Sequence, residues 1–176
     1  MTRMFAAAAL AAVLVPALAF AQAGANPFTD AVKAQLAQIK DPVIRTAQKV
    51  PEDLYAFKPT PEVRSLGQLI GHIADGNFGI CGAASGQKPP MSGVEKSTTT
   101  KAALQKALAD SFAFCESGLA AMDDKKGAEI IKMFLGMQPR LGVFAFNNSH
   151  VNEHYGNLVT YMRLKGIVPP SSEPSK

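Results

Sequence analysis

In four long stretches between residues 26 and 170 the apolar side chains return at three- and four-residue intervals, and no alternating pattern competes with them. A stripe with that period can be buried only by a helix, so it constrains the fold more than any other feature. Asn26-Pro27 has the chemistry of an N-cap followed by a first helical position. Val32, Leu36, Ile39, Val43 and Ala47 then keep helical spacing, predicting a first helix over Phe28 to Val50 with a kink or break at Asp41-Pro42. Pro51 to Pro61 is a connector. Ser65-Leu66-Gly67-Gln68 matches a capping box, in which the Ser hydroxyl and the Gln side chain each satisfy a free amide of the first turn. Leu66, Leu69, Ile70, Ile73 and Ile80 line one face of the second helix, which ends near Ala84.

Ser85 to Thr99 is too polar and too rich in Gly and Pro for an element and too long for a tight turn, so it reads as a crossover. Thr100 can cap a third helix whose stripe is Ala103, Leu104, Ala107, Leu108, Phe112, Cys115 and Leu119, ending before Asp123-Asp124-Lys125. A short helical piece is expected at Ala128 to Phe134. Pro139 suits the first turn of a fourth helix that continues to Lys165, with Gly166 past its end and Pro169-Pro170 beyond. Four long amphipathic helices predict an all-α four-helix bundle.

The chain is 47% hydrophobic, but an N-terminal run inflates the figure: every residue from Phe5 to Ala21 except Pro16 is apolar. Arg3, that run and Ala19-Phe20-Ala21 have the charge, length and cleavage-site chemistry of an export signal cut after Ala21; the competing reading is an uncleaved anchor. Residues 1–21 are therefore expected to be a cleaved signal peptide, 22–170 the bundle and 171–176 a disordered tail, in a periplasmic or secreted protein. No later apolar run reaches the ~20 residues of a spanning helix, so no membrane is expected for the mature form. The 18 basic against 14 acidic side chains form no basic runs, which gives no case for nucleic acid. Sequence leaves open whether the bundle is a monomer or a homodimer.

The chain has three histidines. His150 and His154 lie four residues apart, about 40° around one helical face and one turn along it, a spacing at which two imidazoles can bind one metal. Val143, Asn147, Leu158 and Tyr161 share their stripe, so the pair faces the interior. His72 lies at the edge of the apolar face of the second helix, near Gly76, where another backbone or a ligand can come close. One His and a His-x3-His pair on two helices make a three-imidazole set with open coordination positions. That set suits a divalent metal, zinc first and Ni(II), Fe(II) or Mn(II) as alternatives. A core or solvated histidine pair is the plainer reading of such spacing.

Phe57-Lys58-Pro59-Thr60-Pro61-Glu62-Val63-Arg64-Ser65-Leu66-Gly67-Gln68-Leu69-Ile70-Gly71-His72-Ile73-Ala74, Asn148-Ser149-His150-Val151-Asn152-Glu153-His154-Tyr155-Gly156-Asn157-Leu158, and Tyr161-Met162-Arg163-Leu164-Lys165-Gly166-Ile167-Val168-Pro169-Pro170 together resemble the DinB/YfiT superfamily, over about Phe28 to Pro170. The resemblance implies an up-down-down-up bundle whose second and third helices run parallel, joined by the long crossover. It also implies a divalent metal held by His72, His150 and His154. Some relatives are transferases or isomerases that use low-molecular-weight thiols, and many have no established activity. The export signal sets this chain apart from those relatives, because such thiols are cytosolic reagents.

Export gives the two cysteines an oxidising compartment in which Cys81 and Cys115 can pair. Each lies about 15 residues into its helix, so at ~1.5 Å per residue they reach one level only if the second and third helices are parallel. Two buried free thiols are the alternative. Around the metal set, Asn147 is a candidate to orient a ligand, or else a packing hydrogen bond. Glu153 and Asp75 are candidates to accept an imidazole N–H or serve as a base, or else solvated carboxylates. Tyr161 reads as a core aromatic, and Arg163 and Lys165 as complements to the helix dipole. The expected function is a metal-dependent hydrolase or transferase acting on a small molecule; a non-catalytic periplasmic metal- or ligand-binding bundle is the alternative.

Overall fold

The computed structural model describes residues 25–134 and 136–174; the proposed signal peptide, 1–21, lies outside the described residues. Four long helices carry the fold: α1 (Pro27–Lys49), α2 (Leu66–Ser85), α4 (Lys101–Ala120) and α6 (Arg140–Leu164). Two one-turn helices lie between them, α3 (Val94–Ser97) in the crossover and α5 (Asp124–Gly127) after α4. A small hairpin, β1 (Ile130–Met133) with β2 (Gly136–Pro139), leads into α6.

Contacts between helix ends establish the directions. Phe28 and Thr29 at the start of α1 meet Asp124 just beyond α4, and Arg140 at the start of α6 reaches the Ala84 carbonyl at the end of α2. At the other end Lys101 donates to the carbonyls of Gln48 and Val50, and the Tyr161 hydroxyl donates to that of Arg64. The order is therefore up, down, down, up. Cys81 and Cys115 are joined in a disulfide with Cα atoms 5.2 Å apart, as parallel α2 and α4 require. Ile70, Ile73, Leu108, Phe112, Val151, Leu158 and Met162 fill the space between the four helices, with Val43 of α1 closing it.

The capping box forms as expected: Ser65 N–H donates to Gln68 Oε1 at 2.8 Å and Gln68 N–H to Ser65 Oγ at 3.2 Å. Thr100 Oγ1 accepts from Ala103 N–H. The cap of α1 differs. Asn26 makes no side-chain cap to its own helix; the Asp124 carboxylate accepts from Phe28 N–H, Thr29 N–H and Thr29 Oγ1. Asn26 Oδ1 in turn accepts from Asp124 N–H. The two chain segments thus cap one another across some hundred residues, a pairing local sequence could not reveal. Helix α1 also runs unbroken through Pro42.

Two further expectations are corrected. The piece at Ala128 to Phe134 is not helical: the helical turn lies earlier, and Ile130↔Pro139 through Met133↔Gly136 pair antiparallel. Gly136 at φ 92° takes the left-handed conformation the turn needs, and Arg140 N–H closes the hairpin onto the Glu129 carbonyl. Strands of four residues are too short to show a period. Nor is the segment after Pro170 loose as far as it is described: Pro170–Ser172 forms a 3-10 turn, and Glu173 pairs with Arg45 and Lys49.

Candidate metal centre

Helix α2 supplies His72, and α6 supplies His150 and His154. His150 Nε2 lies 3.2 Å from His72 Nε2 and 3.1 Å from His154 Nε2, and the donor atoms of all three lie within 4.8 Å of one another. The His72–His154 and His150–His154 rings meet edge to face, at 90° and 84°, so nitrogens converge instead of ring faces stacking. With metal–nitrogen bonds of about 2.0–2.1 Å, ligand nitrogens stand roughly 3.3 Å apart in tetrahedral and roughly 2.9 Å apart in octahedral coordination. The two observed separations fall between those values, so the residues fit a divalent ion.

The surroundings of α2 explain how the cluster is assembled. A side chain at Gly76 would place its Cβ 2.4 Å from His150 Cε1, so only glycine lets the His150 ring settle against α2. At Gly71 a Cβ would lie 2.7 Å from the Glu95 Cα, so this glycine admits the backbone of α3. Asp75 then holds α3 in place, its two carboxylate oxygens accepting from Val94 N–H and Glu95 N–H, each at 2.9 Å. Held there, Glu95 Oε2 lies 2.8 Å from His72 Nδ1 and its Oε1 accepts from Arg64 Nε at 2.9 Å. A carboxylate can only accept, so His72 carries its proton on Nδ1 and keeps the Nε2 lone pair for a ligand. Burial pushes Glu95 up, but the hydrogen bonds from Arg64 and His72 outweigh it and hold the carboxyl below its ordinary range.

Burial, followed by the charges of His154, His72 and Arg64, pushes His150 down to about 4. Burial, followed by the charge of His72, lowers His154 as well, against an opposing pull from Glu153. Both rings are therefore neutral at neutral pH, the state that ligates metal. Among the described residues the Nδ1 atoms of these two rings have no hydrogen-bond partner, so Glu95 gives His72 a support the other two lack.

The residues proposed around the site divide. Glu153 is exposed and lies on the rim of a cleft that His154 lines. Asp75 holds α3 through both its oxygens, and no hydrogen bond to an imidazole is among its contacts in the described residues. Asn147 is fully buried and donates to Asn77 Oδ1 at 2.8 Å, while Asn77 donates to Ser111 Oγ; it belongs to an interior polar cluster beside Cys115. Tyr161 packs edge-on to Phe57. Arg163 donates to Ser172 Oγ, and Lys165 lies over the Phe57 ring instead of serving only the helix dipole. Sequence reasoning gave no role to Glu95 or to Arg64, although Arg64 lies within the motif that carries the resemblance. Both stand in connectors without periodicity: folding of the crossover onto α2 brings Glu95 to His72, and Arg64, just before the α2 cap, then meets Glu95.

The DinB superfamily pattern matches residues 35–158, a span that includes all three histidines. The chain belongs to the DinB superfamily. Similar solved structures include a DinB-like protein from Bacillus cereus, with TM-score 0.70, 17% identity, and 80% of this chain and 95% of that chain covered. A DinB-like protein from Bacillus subtilis gives 0.66 at 18% identity, covering 82% and 99%. A conserved protein from Enterococcus faecalis gives 0.64 at 18%, covering 77% and 95%. At these identities the likeness shows a shared fold. Among curated proteins no match was found.

Proposed function

We propose that this DinB-family chain is an exported divalent-metal protein that acts as a hydrolase or transferase on a small molecule. The observation that carries the reading is the convergence of three imidazole Nε2 atoms from two helices, 3.1 and 3.2 Å apart along two edges, with one ring opening on a cleft. A divalent ion held there, zinc by preference, would supply a Lewis acid with coordination positions left for a ligand. Glu95 orients His72, and Glu153 is the carboxylate placed on the rim to take or give a proton. Export is supported by the apolar run before Gln22 and by the Cys81–Cys115 bond, which belongs to an oxidising compartment. A carrier that merely stores metal would close the centre with a fourth protein ligand. Among the described residues no further Cys, Asp or Glu joins the three histidines, which favours catalysis.

Metal analysis of the chain purified from the periplasm should find about one divalent ion per chain, and a His150→Ala, His154→Ala variant should hold almost none. Equal metal content in the two would refute the site. N-terminal sequencing of the same preparation should begin at Gln22; recovery of an intact Met1 would refute export by cleavage.

A further inference from the structure

The three histidines leave Arg64 and the cleft beside His154 unexplained. The cleft, about 520 Å³, is lined by Glu62, Arg64, Glu153, His154, Asn157 and Tyr161 among others. Of the three imidazoles His154 lines it, so a ligand seated there lies beside one edge of the centre. Arg64 is held at both ends, its Nε by Glu95 and its carbonyl by the Tyr161 hydroxyl. Its side chain is 42% exposed, and among the described residues no hydrogen bond uses its η nitrogens. It lines the same cleft as His154 and Tyr161, so it stands beside the centre.

We propose that this cleft takes a small organic monoanion, a carboxylate, gripped by the η nitrogens of Arg64 beside the three-histidine centre. The inference rests on the metal-centre reading and adds the ligand's chemical class. A planar carboxylate matches the guanidinium fork, which a point charge such as lysine does not. The carboxylates of the wall oppose every negative charge a ligand brings, so a monoanion is opposed less than a dianion. Glu95 is paired with Arg64 and His72, but Glu62 and Glu153 share the cleft without such partners. A dianion such as phosphate would turn its second charge toward them.

The test uses the full chain loaded with Co(II), titrated with acetate and separately with inorganic phosphate, and followed by Co(II) visible absorption. Acetate should bind more tightly than phosphate. In protein saturated with Co(II), Arg64→Gln should weaken acetate about tenfold or more, and Arg64→Lys should recover part of the loss. Glu153→Gln should narrow the gap between the two anions. Unchanged acetate affinity in Arg64→Gln, or phosphate binding as tightly as acetate, overturns the proposal. A readout that needs no metal separates it from the metal reading: acetate must shift the Arg64 Nε–H NMR signal, identified by its loss in Arg64→Gln, in the metal-free chain. Failure of Co(II) to load would count against the metal centre; an unmoved Arg64 signal counts against the carboxylate site.

Discussion

Replacing Gly76 by alanine should separate metal binding from folding. The added Cβ would lie 2.4 Å from His150 Cε1 and 2.9 Å from Nδ1. Carbon atoms rest at about 3.5–4.0 Å, so the ring must retreat by about 1 Å, whereas a metal site tolerates roughly ±0.2 Å. Overpacking costs about 1–3 kcal/mol, and exchanging glycine for alanine inside a helix returns up to about 1 kcal/mol. The metal-free variant should therefore lose only about 0–3 kcal/mol, a fall of at most about 12 °C in melting temperature. Zinc affinity should drop about 10- to 100-fold, the scale seen when a ligand loses its orientation.

At a zinc concentration 100 times the wild-type Kd, zinc should stabilise the wild type by about 2.7 kcal/mol. The same zinc should add only about 0.4–1.4 kcal/mol to the variant. Thermal melts followed by circular dichroism, with and without zinc, and a chelator competition titration measure both quantities. Gly79→Ala is the control, since nothing lies within 4 Å of its Cβ position. That variant should bind zinc as the wild type does. A wild-type zinc response in Gly76→Ala, or an equal loss in Gly79→Ala, would refute the reasoning.

Three other outcomes are expected. Glu95→Gln should weaken zinc binding about 10- to 100-fold through loss of His72 orientation, measured by the same competition; wild-type affinity would show that the Glu95 contact is idle. A Cys81→Ala, Cys115→Ala variant should melt about 8–15 °C lower, because a bond spanning 34 residues contributes on the order of 3–4 kcal/mol in the chain-entropy model. Thiol counting under denaturing, non-reducing conditions should find no free thiol in the wild type. The Asp124 carboxyl feels a burial penalty that raises its pKa, but the hydrogen bonds from Thr29 and Phe28 win and depress it. Its contribution to stability is thus present above the unfolded carboxylate value of about 3.9 and is lost as pH falls through the lower folded value. Asp124→Asn should therefore flatten the acid-unfolding profile below about pH 4, and an unchanged profile would show that the cross-chain cap is not felt.

The sequence by itself determined the helical class, the limits of the four long helices and the three histidines. Those depend on neighbours within a turn or two: the stripe through Leu66, Leu69, Ile70 and Ile73, the Ser65–Gln68 box, and the four-residue step from His150 to His154. Topology was legible through family resemblance and through the equal depth of Cys81 and Cys115. Only the tertiary structure decided what supports the site. Glu95 lies 23 residues from His72 along the chain, in a crossover without period, and reaches it because Gly71 and Asp75 dock α3 against α2. Asp75 and Asn147 have the right chemistry on the right helices, yet their partners come from α3 and from the Asn77–Ser111 cluster instead of the imidazoles. Helical periodicity tells which face a side chain is on; which polar group it meets there depends on a second segment whose position is set by the packing of the whole bundle.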